Sequence, residues 1–161
     1  MTKDSQPFAR NVALPDLAAT QALGTRIAAN LETGDAVALE GDLGAGKTTL
    51  ARAILRGLGV REDVPSPTFT LVQLYETPRL PVRHYDLYRI ENPDEIDELG
   101  LDDALAEGAA LIEWPDRAEG RLPPDMLHVA LTATGAGSRT AMLKGPARWT
   151  SRLAPEADHV R

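Results

Sequence analysis

Residues 36–50, AVALEGDLGAGKTTL, decide how this chain is read. The octet Gly41-Asp42-Leu43-Gly44-Ala45-Gly46-Lys47-Thr48 fits the phosphate-loop pattern G-x-x-x-x-G-K-S/T. Its flanks fit too. Ala36 to Leu39 is an apolar run that reads as a buried strand. From Lys47 onward, Leu50, Ala51, Ile54, Leu55 and Leu58 recur at three and four, the spacing of a helix with one buried face. Gly41, Gly44 and Gly46 let the backbone turn its N–H groups inward around a phosphate. The following helix adds the positive end of its dipole at the same point. Lys47 is expected to reach the β- and γ-phosphates, and Thr48 to place its hydroxyl on Mg²⁺. The nucleotide contacts are assigned to Asp42, Leu43, Gly44, Ala45, Gly46, Lys47, Thr48 and Thr49.

The chain has 161 residues, enough for one domain with a full core. Hydrophobic residues make up 43 % and charged residues 25 %, ordinary values for a soluble globular chain. There is no cysteine, which excludes disulfides and Cys-ligated metal sites. No apolar run approaches a membrane span and no signal-peptide core opens the chain, so a cytoplasmic location is expected. The net charge of −7 argues against tight direct binding of nucleic acid, which needs clustered Lys and Arg. A role near RNA would run through partner proteins.

Residues 1–9 are polar and expected to be loose, residues 10–145 to form the domain, and residues 146–161 a tail with one helical turn pairing Trp149 with Leu153. Asn11 to Leu14 reads as a short edge strand. Asp16 is a candidate N-cap for a helix through Leu31, with Leu17, Ile27, Ala28 and Leu31 on its buried side. The loop helix should end near Gly57 to Gly59. Val64-Pro65-Ser66-Pro67-Thr68-Phe69-Thr70 is stiffened by two prolines. Leu71–Glu76 and Val82–Ile90 read as an antiparallel hairpin. Asn92-Pro93 starts a helix with an acidic body, Asp94 to Asp103. Ala109–Glu113 is another buried strand. Leu127–Ala133 and Arg139–Leu143 are late strands joined by Gly135-Ala136-Gly137. The fold class is α/β: a single phosphate-loop NTPase-type domain, with a central mixed sheet flanked by helices and carrying an antiparallel hairpin.

Hydrolysis needs a metal carboxylate and a group that orients water. Asp86 and Glu113 stand out because they sit in apolar strand contexts, where acids are depleted. Asp86 is expected to help hold Mg²⁺ through water. Glu113, closing the strand AALIE, would orient the attacking water or share the metal shell. The competing reading makes each a solvated strand carboxylate paired with Arg83 or Arg89. Ser66 and Thr68 lie about twenty residues beyond the phosphate loop, as a nucleotide-sensing switch loop would. Thr68 is the candidate sensor. His84 reads as a strand-face histidine rather than a base. Trp114, beside Glu113, reads as a structural residue at the edge of the site or of a partner surface. The acidic helix is either a solvated face or a docking face for a basic groove.

GDLGAGKTTL (41–50), VPSPTF (64–69), HYDLYRI (84–90), ELGLDD (98–103) and LIEWPDR (111–117) together resemble the bacterial TsaE (YjeE) family, in order and spacing from about residue 10 to 145. The resemblance implies a small α/β ATPase that holds ATP or ADP with Mg²⁺ and hydrolyses slowly alone. It implies partnership with TsaD and TsaB, which transfer a threonylcarbamoyl group to an adenosine beside the tRNA anticodon. The ATPase would reset that complex between turnovers. By the same resemblance, Lys47 and Thr48 are the phosphate and Mg²⁺ residues, Asp86, Glu113 and Trp114 the other site positions, and Thr68 part of the switch loop. The tail beyond residue 145 falls outside the resemblance.

The main rival is a small-molecule or nucleotide kinase, in which Arg117 and Arg121 have the spacing of a lid helix. A regulatory GTPase is weaker. Asp97-Glu98-Leu99-Gly100 matches D-x-x-G but in an acidic helical stretch, and no N-K-x-D guanine motif exists. A nucleotide-gated adaptor is the non-enzymatic reading.

Overall fold

Residues 7–65, 67, 70–118 and 120–153 are described by a computed structural model of the chain. Seven strands form one mixed sheet in the order β1-β7-β6-β2-β5-β4-β3. They are β1 (Phe8–Leu14), β2 (Ala36–Glu40), β3 (Val72–Tyr75), β4 (Val82–Asp86), β5 (Ala109–Glu113), β6 (Leu127–Gly135) and β7 (Ser138–Gly145). The helices are α1 (Leu17–Asn30), α2 (Lys47–Gly57), α3 (Leu101–Glu107) and α4 (Arg148–Arg152). β2 pairs in parallel with β5 on one side and β6 on the other. β4 also runs parallel to β5. β3–β4, β6–β7 and β1–β7 are antiparallel.

The centre of the sheet follows from composition. β5 is AALIE with every residue buried, and β2 is AVALE with only its last residue partly exposed. Strands apolar at every position need cover on both faces. On one face α1 and α2 bring Leu23, Ile27, Leu50 and Ile54 against Leu39, Leu111 and Val129. On the other, Ile96, Leu101 and Ala104 from the acidic segment pack on Tyr85, Ala110 and Ile112. The acidic segment therefore has a buried apolar side as well as a charged one.

α1 and α2 cross closely because small residues meet. A Cβ at Gly24 would lie 2.8 Å from the carbonyl carbon of Ala53, and one at Gly57 would lie 2.8 Å from Ala28 Cβ. This crossing seats the helix that follows the phosphate loop. Asp16 caps α1 as expected, its Oδ1 accepting from Ala19 N at 2.9 Å.

Several boundaries depart from the sequence reading. β1 starts at Phe8, which is buried and pairs with Gly145. Leu17 is 53 % exposed rather than on the buried side of α1. Ten residues separate it from Ile27, which is not a multiple of the helical repeat, and Leu23 and Gly24 take the buried positions instead. β4 stops at Asp86, where its Oδ1 accepts from Tyr88 N at 3.0 Å and turns the chain. The acidic helix is two pieces: a 3₁₀ segment over Pro93–Glu98 and α3, separated by Gly100. The lid helix that the kinase reading would place over Arg117 and Arg121 is not formed among the described residues. The helical turn there covers only Pro115–Ala118, and Arg121 pairs with Asp94.

In the tail, Trp149 is fully buried and Leu153 N donates to Trp149 O at 3.0 Å. Arg148 and Arg152 of α4 both reach the buried carboxylate of Asp35, at 3.1 and 2.8 Å. The tail is thus tied to the N-terminal end of β2. Residues 154–161 and 1–6 lie outside the described residues. No helix among the described residues is long and apolar enough to cross a membrane.

Gly24→Val is expected to destabilise the protein by about 1–3 kcal/mol through overpacking at the α1–α2 crossing. Urea unfolding would show a lower midpoint at an unchanged slope.

Candidate active site

The loop between β2 and α2 supplies the first half of the site. Gly41, Gly44 and Gly46 all have positive φ, at 144°, 82° and 105°. Gly46 is doubly constrained, because a Cβ there would also overlap the guanidinium of Arg139. Lys47, the first residue of α2, is 5 % exposed. Its Nζ donates to the carbonyls of Gly41 at 2.7 Å and Asp42 at 2.9 Å. It also lies 4.1 Å from the centroid of the Trp114 ring. Burial holds the Lys47 ammonium below the ordinary lysine value, although the carboxylates of Glu113, Asp86, Asp42 and Asp116 pull it upward. An anion entering the loop would pull in the same direction as those carboxylates.

The second half comes from the neighbouring strand ends. β5 lies beside β2, and β4 beside β5, both in parallel. Their last residues, Glu113 and Asp86, are in register with each other. Glu113 is 2 % exposed. The Thr48 hydroxyl donates to it, 2.9 Å from Oε1 and 3.1 Å from Oε2. His84 Nε2 is 2.7 Å from Glu113 Oε2. Asp86 is 5 % exposed and faces the same cavity. Neither carboxylate is the solvated partner of Arg83, which instead donates to the Gly100 carbonyl at 3.0 Å and pairs with Glu107 at 3.7 Å.

The cavity between the two halves holds about 410 Å³, within the range of small-ligand sites. Lys47, Thr48, Thr49, Asp86, Glu113 and Trp114 all line it, as do Leu43, Gly44 and Gly46. Asp42 and Ala45 face the other side of the loop. Among the described residues no three His, Asp or Glu side chains form a metal-binding cluster. The oxygen donors of Thr48, Asp86 and Glu113 are of the kind that Mg²⁺ takes alongside waters and substrate phosphates. The Thr48 hydroxyl can give its proton to Glu113 and still offer a lone pair to a cation.

Trp114 has φ 59°, a left-handed conformation that costs an ordinary side chain about 1–2 kcal/mol. It follows Glu113 directly, so the chain turns sharply there and the indole covers Lys47. Tyr88 packs on it at 4.8 Å between centroids, and the Arg117 guanidinium lies 5.2 Å from the Tyr88 ring. Sequence reasoning missed Tyr88 and also Arg139, whose Nε donates to the Ala45 carbonyl at 2.6 Å. Arg139 comes from β7, ninety-four positions away, and nothing in its local sequence points to the loop. His84 was within reach: it shares a strand face with Asp86 by alternation. Ser66 and Thr68, the switch-loop candidates, lie outside the described residues.

A glycine-rich loop between a central strand and a helix, with two buried carboxylates on the adjoining strand ends, belongs to a small α/β protein with a mixed seven-stranded sheet. The profile of the family described as "Threonylcarbamoyl adenosine biosynthesis protein TsaE" matches residues 14–141. The chain belongs to that family. It is 42 % identical over 118 residues to the tRNA threonylcarbamoyladenosine biosynthesis protein TsaE of Rickettsia typhi, covering 73 % of this chain and 82 % of the relative. The Bacillus subtilis protein of that name is 41 % identical over 121 residues, 74 % of this chain and 75 % of the relative. The Nostoc protein is 41 % identical over 133 residues, covering 80 % and 81 %. The crystal structure of Bacillus subtilis YdiB superposes with a TM-score of 0.79 at 28 % identity, covering 97 % of this chain and 99 % of that one.

The Trp114 backbone gives a direct check on this geometry. Trp114→Gly is expected to be more stable than Trp114→Ala by about 0.5–1 kcal/mol, the reverse of the usual order, because only the left-handed conformation favours glycine. Paired thermal or urea unfolding of the two variants measures it.

Proposed function

We propose that this protein is a Mg²⁺-dependent ATPase of the cytoplasm that serves the formation of threonylcarbamoyladenosine in tRNA. The bond from Thr48 to Glu113 carries the reading, because it joins the end of the phosphate loop to a strand-end carboxylate inside one cavity. Thr48 and Glu113 would hold Mg²⁺, with Asp86 reaching it through water, and the ion would supply charge neutralisation at the phosphates. The loop N–H groups of residues 42–48 and the α2 N-terminus would bind the phosphates. Lys47 would leave the Gly41 and Asp42 carbonyls and turn to the β- and γ-phosphates. Arg139 adds a second cation at the loop. Glu113 and Asp86 are the groups available to orient the attacking water.

The pathway assignment rests on family membership and on the names its relatives carry. We assign TsaD and TsaB as partners, with hydrolysis resetting their transferase complex between turnovers. The net charge of −7 suits a protein that meets tRNA only through that complex.

Phosphate release from ATP is expected to rise when TsaB and TsaD are added and to fall at least about 100-fold in Lys47→Ala, Asp86→Ala and Glu113→Ala, a loss typical of removing one preorganised charge-stabilising group. Near-normal turnover in any variant would remove that residue's role, and phosphate transfer to a small acceptor would favour the kinase reading. The Lys47 environment adds a pH test. Phosphates favour the charged ammonium, so binding takes up a proton wherever free Lys47 is neutral. ATP affinity should therefore weaken as pH rises, starting below the ordinary lysine range. Lys47→Arg, always charged, should remove that slope in a binding titration.

A further inference from the structure

His84 lies in the middle of β4 with no solvent exposure. Its Nε2 is 2.7 Å from Glu113 Oε2, and its Nδ1 has no hydrogen-bond partner among the described residues. Both Glu113 oxygens already accept from the Thr48 hydroxyl. A carboxylate in that arrangement offers the imidazole only lone pairs, so the Nε2 that faces it donates.

We infer that His84 is a positioning residue: its Nε2–H holds the Glu113 carboxylate in one orientation toward Thr48 and the phosphate loop. The inference rests on the ATPase reading of that carboxylate. A glutamate has three side-chain torsions to fix, and Thr48 fixes the carboxylate from one side only. His84 approaches from the adjacent strand, one diagonal step from Glu113, since Leu111 is its direct partner across the β4–β5 pair. The bond takes up one lone pair of Oε2 and leaves the other carboxylate lone pairs for the site. Partners of this kind orient ligating groups elsewhere, and their loss commonly reduces metal affinity or activity 10–100-fold.

The test compares wild type, His84→Ala, His84→Gln, Glu113→Gln and the double variant His84→Ala/Glu113→Gln. ATP affinity and ATP hydrolysis are measured across a Mg²⁺ titration, with TsaB and TsaD present. His84→Ala should lower kcat about 10–100-fold and raise the Mg²⁺ needed for half-maximal rate, with ATP affinity in the absence of Mg²⁺ within about twofold of wild type. His84→Gln, whose amide N–H can reach the carboxylate, should recover most of that loss. In the Glu113→Gln background, His84→Ala should change nothing further. In the wild-type protein, ¹⁵N NMR of the imidazoles should show a proton on His84 Nε2, with its signal shifted in Glu113→Gln. An unchanged kcat in His84→Ala, no recovery in His84→Gln, multiplicative losses in the double variant, or an Nε2 that carries no proton would each overturn the inference. Failure of the ATPase reading looks different: wild type would not hydrolyse ATP at all. The NMR signals would still decide the bond between His84 and Glu113.

Discussion

Leu39 of β2 lies beside Glu113 of β5 in a parallel pair, and this register places the rest of the site. β2 runs straight into the phosphate loop, so the strand next to it must end level with the loop mouth. Glu113 is the last residue of that strand, and the backbone turns immediately after it at Trp114. β4 then repeats the arrangement one strand further out and brings Asp86 level with Glu113. A slip of one residue in either pairing would send these carboxylates to the opposite face of the sheet. The all-apolar cores of β2 and β5 hold the register by burying both faces.

The loop is occupied by its own groups in this structure. Lys47 donates to two loop carbonyls, Thr48 donates to Glu113, Arg139 donates to Ala45, and the Trp114 ring covers Lys47. These donors are thus satisfied within the fold, and for the buried Lys47 that limits the cost of keeping its ammonium out of water. On the proposed reading, a bound phosphate would exchange these bonds for stronger charge-assisted ones. The carboxylates play a second part. They draw the buried Lys47 toward its charged form, so the cation and the anions of the site depend on each other.

The sequence made the centre of the molecule legible and left its edges less so. β2, the loop, α2 and β5 could be read because each has a strong local pattern: an apolar run, a glycine spacing, a helical repeat. Asp86 and Glu113 could be singled out because a carboxylate is costly inside an apolar strand. The edges depend on tertiary contacts. Phe8 joins a strand because β7 is there to pair with it, and Leu17 is exposed because the α1–α2 crossing selects Leu23 and Gly24. Arg139 reaches the loop through strand order alone, since β7 is joined to β2 by way of β6. The acidic segment read as one helix because its composition is uniform, whereas Gly100 divides it and Ile96 and Leu101 bury its inner side.

The most direct test of the account is equilibrium binding of ATP with and without Mg²⁺, compared between the wild type and Glu113→Gln. If Thr48 and Glu113 form the metal side of a phosphate-loop site, Mg²⁺ should tighten binding of ATP to the wild type, and much less so to Glu113→Gln. Binding that is indifferent to Mg²⁺ in both proteins, or equally enhanced in both, would contradict the assignment of the strand-end carboxylate to the nucleotide site.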